Sequence, residues 1–180
     1  MKLRIALMPL LLVAILGGTA DARRNRSMGG QSYSANGTFG LGLELGAPFG
    51  LNGKYFLSSD RALNFGIGAN GYYYYGERDG LHLYLDYLFH PFSLANLPQF
   101  QLPFYIGIGG RLWSFNDSGP DDDAVAFGIR VPIGIAFDLN NVPLDFFVQL
   151  TPVLDFYSGY NDENLGFWFD FSVGVRFWFN

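Results

Sequence analysis

No cysteine occurs among the 180 residues. Disulfides, thiolate metal sites, cysteine nucleophiles and the acylated N-terminal cysteine of a lipoprotein are thereby excluded. No apolar run reaches the roughly 20 residues that a spanning helix needs, and no helical period emerges along the chain. Charge is scarce, at 15% of residues, and its balance is acidic, with a formal net charge of −5. Nucleic acid is not an expected partner, because phosphate binding rests on clustered Lys and Arg.

What the chain has is aromatic residues and glycine, 19 Phe, 11 Tyr and 24 Gly, set in alternating patterns. From Leu165 to Phe179 every odd position is Leu, Phe or Val, and Gly, Trp, Asp, Ser and Arg lie between them. That is a strand with one apolar face and one small or polar face. At about 3.3 Å per residue it is long enough to cross a bilayer even when tilted, unlike the usual strand of about five or six residues. Eight such segments are expected, at 35–46, 51–58, 61–74, 81–90, 103–114, 124–138, 143–156 and 165–179. Turn-forming stretches separate them, among them Gly46-Ala47-Pro48, Ser58-Ser59-Asp60, Gly76 to Gly80, Asn116 to Pro120 and Asn140-Asn141. The expected fold is all-β, an eight-stranded antiparallel up-and-down transmembrane β-barrel over residues 35–180.

The N-terminus reads as a leader for the same compartment. Lys2 and Arg4 precede an apolar run from Ile5 to Leu16 that is too short to span and is interrupted by Pro9, and Ala20-Asp21-Ala22 fits a cleavage site. Residues 1–22 are therefore expected to be a removed signal peptide, and loss of Lys2, Arg4 and Asp21 takes the net charge from −5 to −6. Residues 23–34 form a short periplasmic segment. Its Arg23, Arg24 and Arg26 are expected to be a solvated tail, the alternative being a contact with anionic partners.

Volume decides which face points outward. About forty bulky apolar side chains, Phe39, Leu41, Leu43 and Leu45 through Phe127 to Phe137 and on to Phe179, cannot fit inside eight strands. They face lipid, which places the chain in the bacterial outer membrane. The opposite face carries Glu44, Lys54, Asp86, Arg111, Arg130, Asp138, Asp145, Gln149, Asp155, Asp170 and Arg176 among glycines. Enclosed together, charges of both signs are expected to pair, since an unpaired buried charge costs several kcal/mol. The polar network of interest is Glu44, Lys54, Asp86, Arg111, Arg130, Asp145, Asp170 and Arg176, with Asp145 pairing with Arg130 or Arg176. It implies a plugged lumen, the alternative being a narrow ion path. Tyr72 to Tyr75, Trp113, Phe115, Phe156, Tyr157, Phe177 and Trp178 bunch at segment ends as interfacial girdles do. Strict alternation nevertheless puts Trp113, Trp168 and Trp178 on the polar face, where they would fill the lumen or mark a bulge.

Catalytic chemistry finds little support. His82 and Asp86 share a strand face but lie four residues, roughly 13 Å, apart. His90-Pro91-Phe92-Ser93 lacks the H-x-S spacing of lipid A deacylases. No catalytic residue, cofactor or metal site is expected, and lipid modification is the runner-up function. Asp117, Asp121, Asp122, Asp123, Asp162 and Glu163 would gather at one rim, where carboxylates could share divalent cations with lipopolysaccharide phosphates. Their spacing is not that of a calcium loop, and a solvated acidic rim is the simpler reading.

Across the expected mature chain these features resemble the OmpA/OmpX-type eight-stranded barrels. A narrower likeness lies in Gly46-Ala47-Pro48-Phe49-Gly50-Leu51-Asn52-Gly53-Lys54-Tyr55-Phe56-Leu57, Val142-Pro143-Leu144-Asp145 and Gly174-Val175-Arg176-Phe177. These look like a poorly characterised family of small outer-membrane barrels, described mainly as surface proteins and in some members as binding host factors. The resemblance implies a structural or surface-binding role, with outer-membrane lipid, lipopolysaccharide, the barrel-assembly machinery and an extracellular ligand as partners. It carries over no catalytic residues. Such barrels end on an aromatic residue, whereas here Asn180 follows Phe179, and the connection from Pro91 to Leu102 is long for a periplasmic turn.

Overall fold

The structure, a computed structural model, describes residues 32–35, 37–70, 80–116, 123–158 and 165–179. The leader, the Tyr72 to Tyr75 cluster and Asn180 lie outside these residues. Nine antiparallel strands follow in chain order: β1 (Phe39–Gly46), β2 (Phe49–Ser58), β3 (Arg61–Asn70), β4 (Gly80–Asn96), β5 (Phe100–Asn116), β6 (Asp123–Arg130), β7 (Ile133–Leu139), β8 (Leu144–Ser158) and β9 (Leu165–Phe179). Each pairs with its sequence neighbour except where β6 and β7 both lie between β5 and β8, and β1 pairs with β9 to close the ring.

Nine strands thus make eight staves, because the expected segment 124–138 is cut in two. Pro132 has no N–H to give the ladder, so pairing lapses at Val131 and Pro132. The gap is tied on both sides by Gly107 N–H to the Pro132 carbonyl at 2.9 Å and Val131 N–H to the Pro152 carbonyl at 3.0 Å. A second difference concerns the connection from Pro91 to Leu102, which is mostly strand. Only Leu97 to Gln99 lie between β4 and β5. A register shift between Phe89 and Phe92 absorbs Pro91 and flips the alternation, so that His90 and Ser93 both point inward.

Stagger fixes the dimensions. Register partners lead from Gly40 through Lys54, Asn64, Asp86, Gly109, Arg130 and Val153 to Trp168, whereas Gly40 itself faces Trp178, ten residues further along β9. Ten residues at about 3.3 Å over eight staves about 4.8 Å apart tilt the strands by roughly 40° and give a backbone radius of about 8 Å. Such an interior has room for side chains and little else.

Polarity is inverted relative to a water-soluble domain. Leu43, Leu51, Leu85, Ile108, Phe167 and Phe169 stand outward at 55–61% exposure, and Glu44, Lys54, Asp86, Arg111, Arg130 and Asp155 point inward at 0–1%. The short connections after β2, β4 and β7 lie at one end, here the lower, and β3, β5 and β8 end at the other.

Candidate functional site

The interior is built in three tiers. Uppermost, Arg111 on β5 donates from Nε to Asp155 Oδ1 at 2.9 Å and from Nη1 to Asp170 Oδ2 at 2.6 Å, tying β8 and β9 to β5 past the intervening β6. Above it Trp113, Ala126, Tyr157 and Trp168 surround Ala47. Gly46, with φ at 130°, takes a conformation open to glycine and lets the β1–β2 turn fold Ala47 inward as a lid. Trp168 Nε1 donates to the Tyr157 hydroxyl at 2.7 Å.

At mid-height Arg176 makes a two-pronged contact with Asp145, Nε to Oδ1 at 2.9 Å and Nη2 to Oδ2 at 2.8 Å. Its Nη1 continues to Asn52 Oδ1 at 3.1 Å and Asn64 Oδ1 at 3.3 Å. Asn52 Nδ2 then reaches Glu44 Oε2 at 3.3 Å, and the Tyr84 hydroxyl donates to the same oxygen at 2.5 Å. Arg130 lies over the Tyr84 ring, 3.9 Å from its centroid, with Nε 3.0 Å from Asp86 Oδ1. That ion pair is close but lacks hydrogen-bond alignment, leaving Arg130 Nη1 and Nη2 with no hydrogen-bond partner among the described residues.

The lowest tier centres on Lys54, whose Nζ is 2.7 Å from His90 Nε2 and 4.9 Å from the ring centroids of both Phe56 and Tyr105. His90 Nδ1 is 3.1 Å from the Asp60 carbonyl, which can only accept. Nδ1 therefore carries the ring hydrogen, Nε2 accepts, and Lys54 donates. Tyr33, from the segment before β1, is buried against Phe56 and stacks on His90 at 5.3 Å, with its hydroxyl 3.5 Å from Asp138 Oδ2. Burial pushes the Tyr33 phenol well above its ordinary value, and the Asp138 and Asp145 carboxylates act in the same direction.

Glycines give these large groups their room. Gly66 faces Tyr84, Gly134 faces the Tyr105 ring, Gly174 faces Phe147 and Gly40 faces Trp178. At the first three a Cβ would run into the ring, and at Gly40 it would press tightly on it. Gly109 and Gly128 stand in the same relation to Asp86 and Asp155.

The eight expected network residues Glu44, Lys54, Asp86, Arg111, Arg130, Asp145, Asp170 and Arg176 all lie buried in this interior. Asp145 takes Arg176, and Arg130 takes Asp86. Two of the eight depart from charge pairing: Lys54 has a histidine as its partner, and Glu44 accepts from Asn52 and Tyr84. Trp113 and Trp178, expected also as girdle residues, line the interior instead, because Trp113 shares the face of Arg111 on β5 and Trp178 that of Arg176 on β9. Asp117, Asp121, Asp122, Asp162 and Glu163 lie outside the described residues. Asp123 opens β6 opposite Asn116. No metal-ligating group of three or more acidic, His or Cys side chains occurs among the described residues. Sequence reasoning missed Asn52, Asn64, Tyr84, Tyr105, Phe147 and Tyr33. For Tyr84, Tyr105 and Phe147 the signal is a glycine at the register partner on the adjoining strand.

Three comparisons bear on kinship. The fold is similar to the N-terminal β-barrel domain of Pseudomonas aeruginosa OprF, with 19% sequence identity, a TM-score of 0.49, and coverage of 77% of this chain and 93% of that one. No curated protein matches the chain. A family model described as a protein of unknown function, DUF3996, matches residues 30–180, and the chain belongs to that family.

Proposed function

We propose that the protein is a bacterial outer-membrane barrel that crosses the bilayer with its strands, has a lumen closed to solutes, and acts as a structural or surface-binding element. The observation that carries this reading is the inverted polarity. Leucine and phenylalanine cover the outer wall, where water would oppose them and hydrocarbon would not, while four cationic and six carboxylate side chains lie buried within. Filling of the interior by Trp113, Tyr105, Phe147 and Trp178 between the ion pairs favours a plug over a pore. The upper rim, where β3, β5 and β8 end, is where lipopolysaccharide or an extracellular ligand would be met. Lipid modification has less support, since His90 is engaged by Lys54 and the Asp60 carbonyl, and the Ser93 hydroxyl donates to the Ala95 carbonyl.

Heat-modifiable gel mobility of the refolded chain in detergent, run beside protease protection in lipid vesicles, tests the reading. A compact fast-migrating band with a protected core is expected. Complete digestion without a mobility shift would return the apolar wall to a soluble partner. Planar-bilayer recordings should show no steady conductance.

A further inference from the structure

We propose that Tyr33 is a removable latch over the lower mouth of the barrel and that its release exposes Lys54 to water. Lys54, Phe56, His90, Tyr105 and Trp178 are fixed on strands, but Tyr33 reaches the same cluster from outside the ladder. Among the described residues its segment is held by Ala35 packing on that cluster, by the Tyr33 ring against Phe56 and by a few further contacts of Ser32 and Tyr33. The Tyr33 hydroxyl lies at a long 3.5 Å from Asp138, its ring stacks on His90, and Asn96 Nδ2 donates to the Ser32 carbonyl at 2.9 Å. Ser32 and Ser34 on either side are exposed. One buried ring, the packing of Ala35 and two hydrogen bonds stand against the ordering of a short segment, so the open state is a minor population within reach of the closed one.

What the latch covers is unusual in this interior. Arg111, Arg130 and Arg176 each face a carboxylate, whereas Lys54 has no carboxylate within ion-pair distance among the described residues and donates only to His90. The groups facing it are His90 from β4, Phe56 from its own strand, Tyr105 from β5, and Arg176, Asp138 and Asp145 at longer range. An amine held by a neutral imidazole and two ring faces gains hydration once the mouth opens. The closed latch denies it that hydration. This inference needs the barrel interior and not its setting in a membrane, so it can fail independently of the proposed function.

The sequence makes the test specific. The chain has only two lysines, Lys2 and Lys54. The full chain, refolded in detergent, is exposed to a small amine-reactive acetylating reagent, and the rate at Lys54 is read by peptide mass spectrometry. Tyr33→Ala should accelerate labelling about tenfold or more while the compact gel band persists, because labelling follows the open population. Added N-acetyl-tyrosinamide should restore protection to that variant. Should Tyr33→Ala fail to fold, Ser32→Cys with Asn96→Cys gives an independent reading. Oxidation should lock the segment and slow labelling below that of the same protein reduced. Equal protection of Lys54 with and without the Tyr33 ring, or equal rates for the oxidised and reduced pair, would overturn the latch. So would a wild-type Lys54 that reacts as fast as a surface amine.

Discussion

Replacing Arg176 by Met removes the centre of the mid-height network and tests whether buried charge pairing holds the barrel together. The substitution keeps most of the aliphatic stem, loses the guanidinium that lies 4.3 Å from the Phe147 ring centroid, and removes five donor contacts. Asp145 is left as a buried carboxylate without its cation, which costs about 3–5 kcal/mol. Asn52 Oδ1 loses its donor as well, adding about 1–3 kcal/mol. Asn64 Oδ1 keeps Asn52 Nδ2 at 3.1 Å and adds nothing. The expected loss is therefore about 4–8 kcal/mol. Adding Asp145→Leu removes the stranded charge, so the double variant should be more stable than Arg176→Met alone by roughly 3 kcal/mol. Reversible urea unfolding in lipid vesicles, followed by tryptophan fluorescence, measures both quantities. If Arg176→Met costs under about 1 kcal/mol, or if the two substitutions simply add, the network is ornament and cohesion lies elsewhere.

Four more outcomes follow from the geometry. Ile133→Arg, on the outward face at the start of β7, should cost about 2–4 kcal/mol in bilayers, and a harmless result would mean that the strand facing is wrong. Gly66→Ala should cost about 1–3 kcal/mol because its Cβ would enter the Tyr84 ring. Gly110→Ala should be near neutral in the same unfolding assay, since the nearest heavy atom to its Cβ would be 3.6 Å away. The Tyr33 phenol is held above its unfolded value of about 10, so its contribution to closure is full below that pH and is lost as pH rises through the folded value. Phenolate absorbance of wild type minus Tyr33→Phe should show that group ionising only well above pH 10, and ionisation at the ordinary value would refute the buried placement.

Alternation over long segments was enough to read the barrel, because in β-structure a period of two assigns every side chain to one of two faces, and the sheer volume of Leu and Phe leaves one choice of which faces out. β9 matches its expected bounds for that reason. Where a proline intervenes, periodicity loses count. Pro91 sits at a register shift that reverses the alternation after His90 and turns Ser93 inward, and Pro132 splits one stave into β6 and β7. The network's membership was legible from charge on the inner face, but its pairing was not, since partners such as Asp145 and Arg176 depend on how far one strand slides past the next. Tyr33 was illegible for a different reason. It belongs to no periodic segment, and only the position of the lower mouth gives it a place to go.

Arg176 has a further significance for how such a ring closes. The seam between β1 and β9 is a single ladder, yet Arg176 on β9 reaches past β1 to Asn52 on β2 and Asn64 on β3. In the bilayer setting proposed above, hydrocarbon around the outer wall would exert no oil-drop pressure drawing the strands together, so spokes such as this one would supplement the backbone ladders in inward cohesion. The spokes that cross the seam can form only when the last strand arrives. Closure of the circumference and neutralisation of its hub are then one event, and a half-closed ring is penalised by the bare charges at its centre.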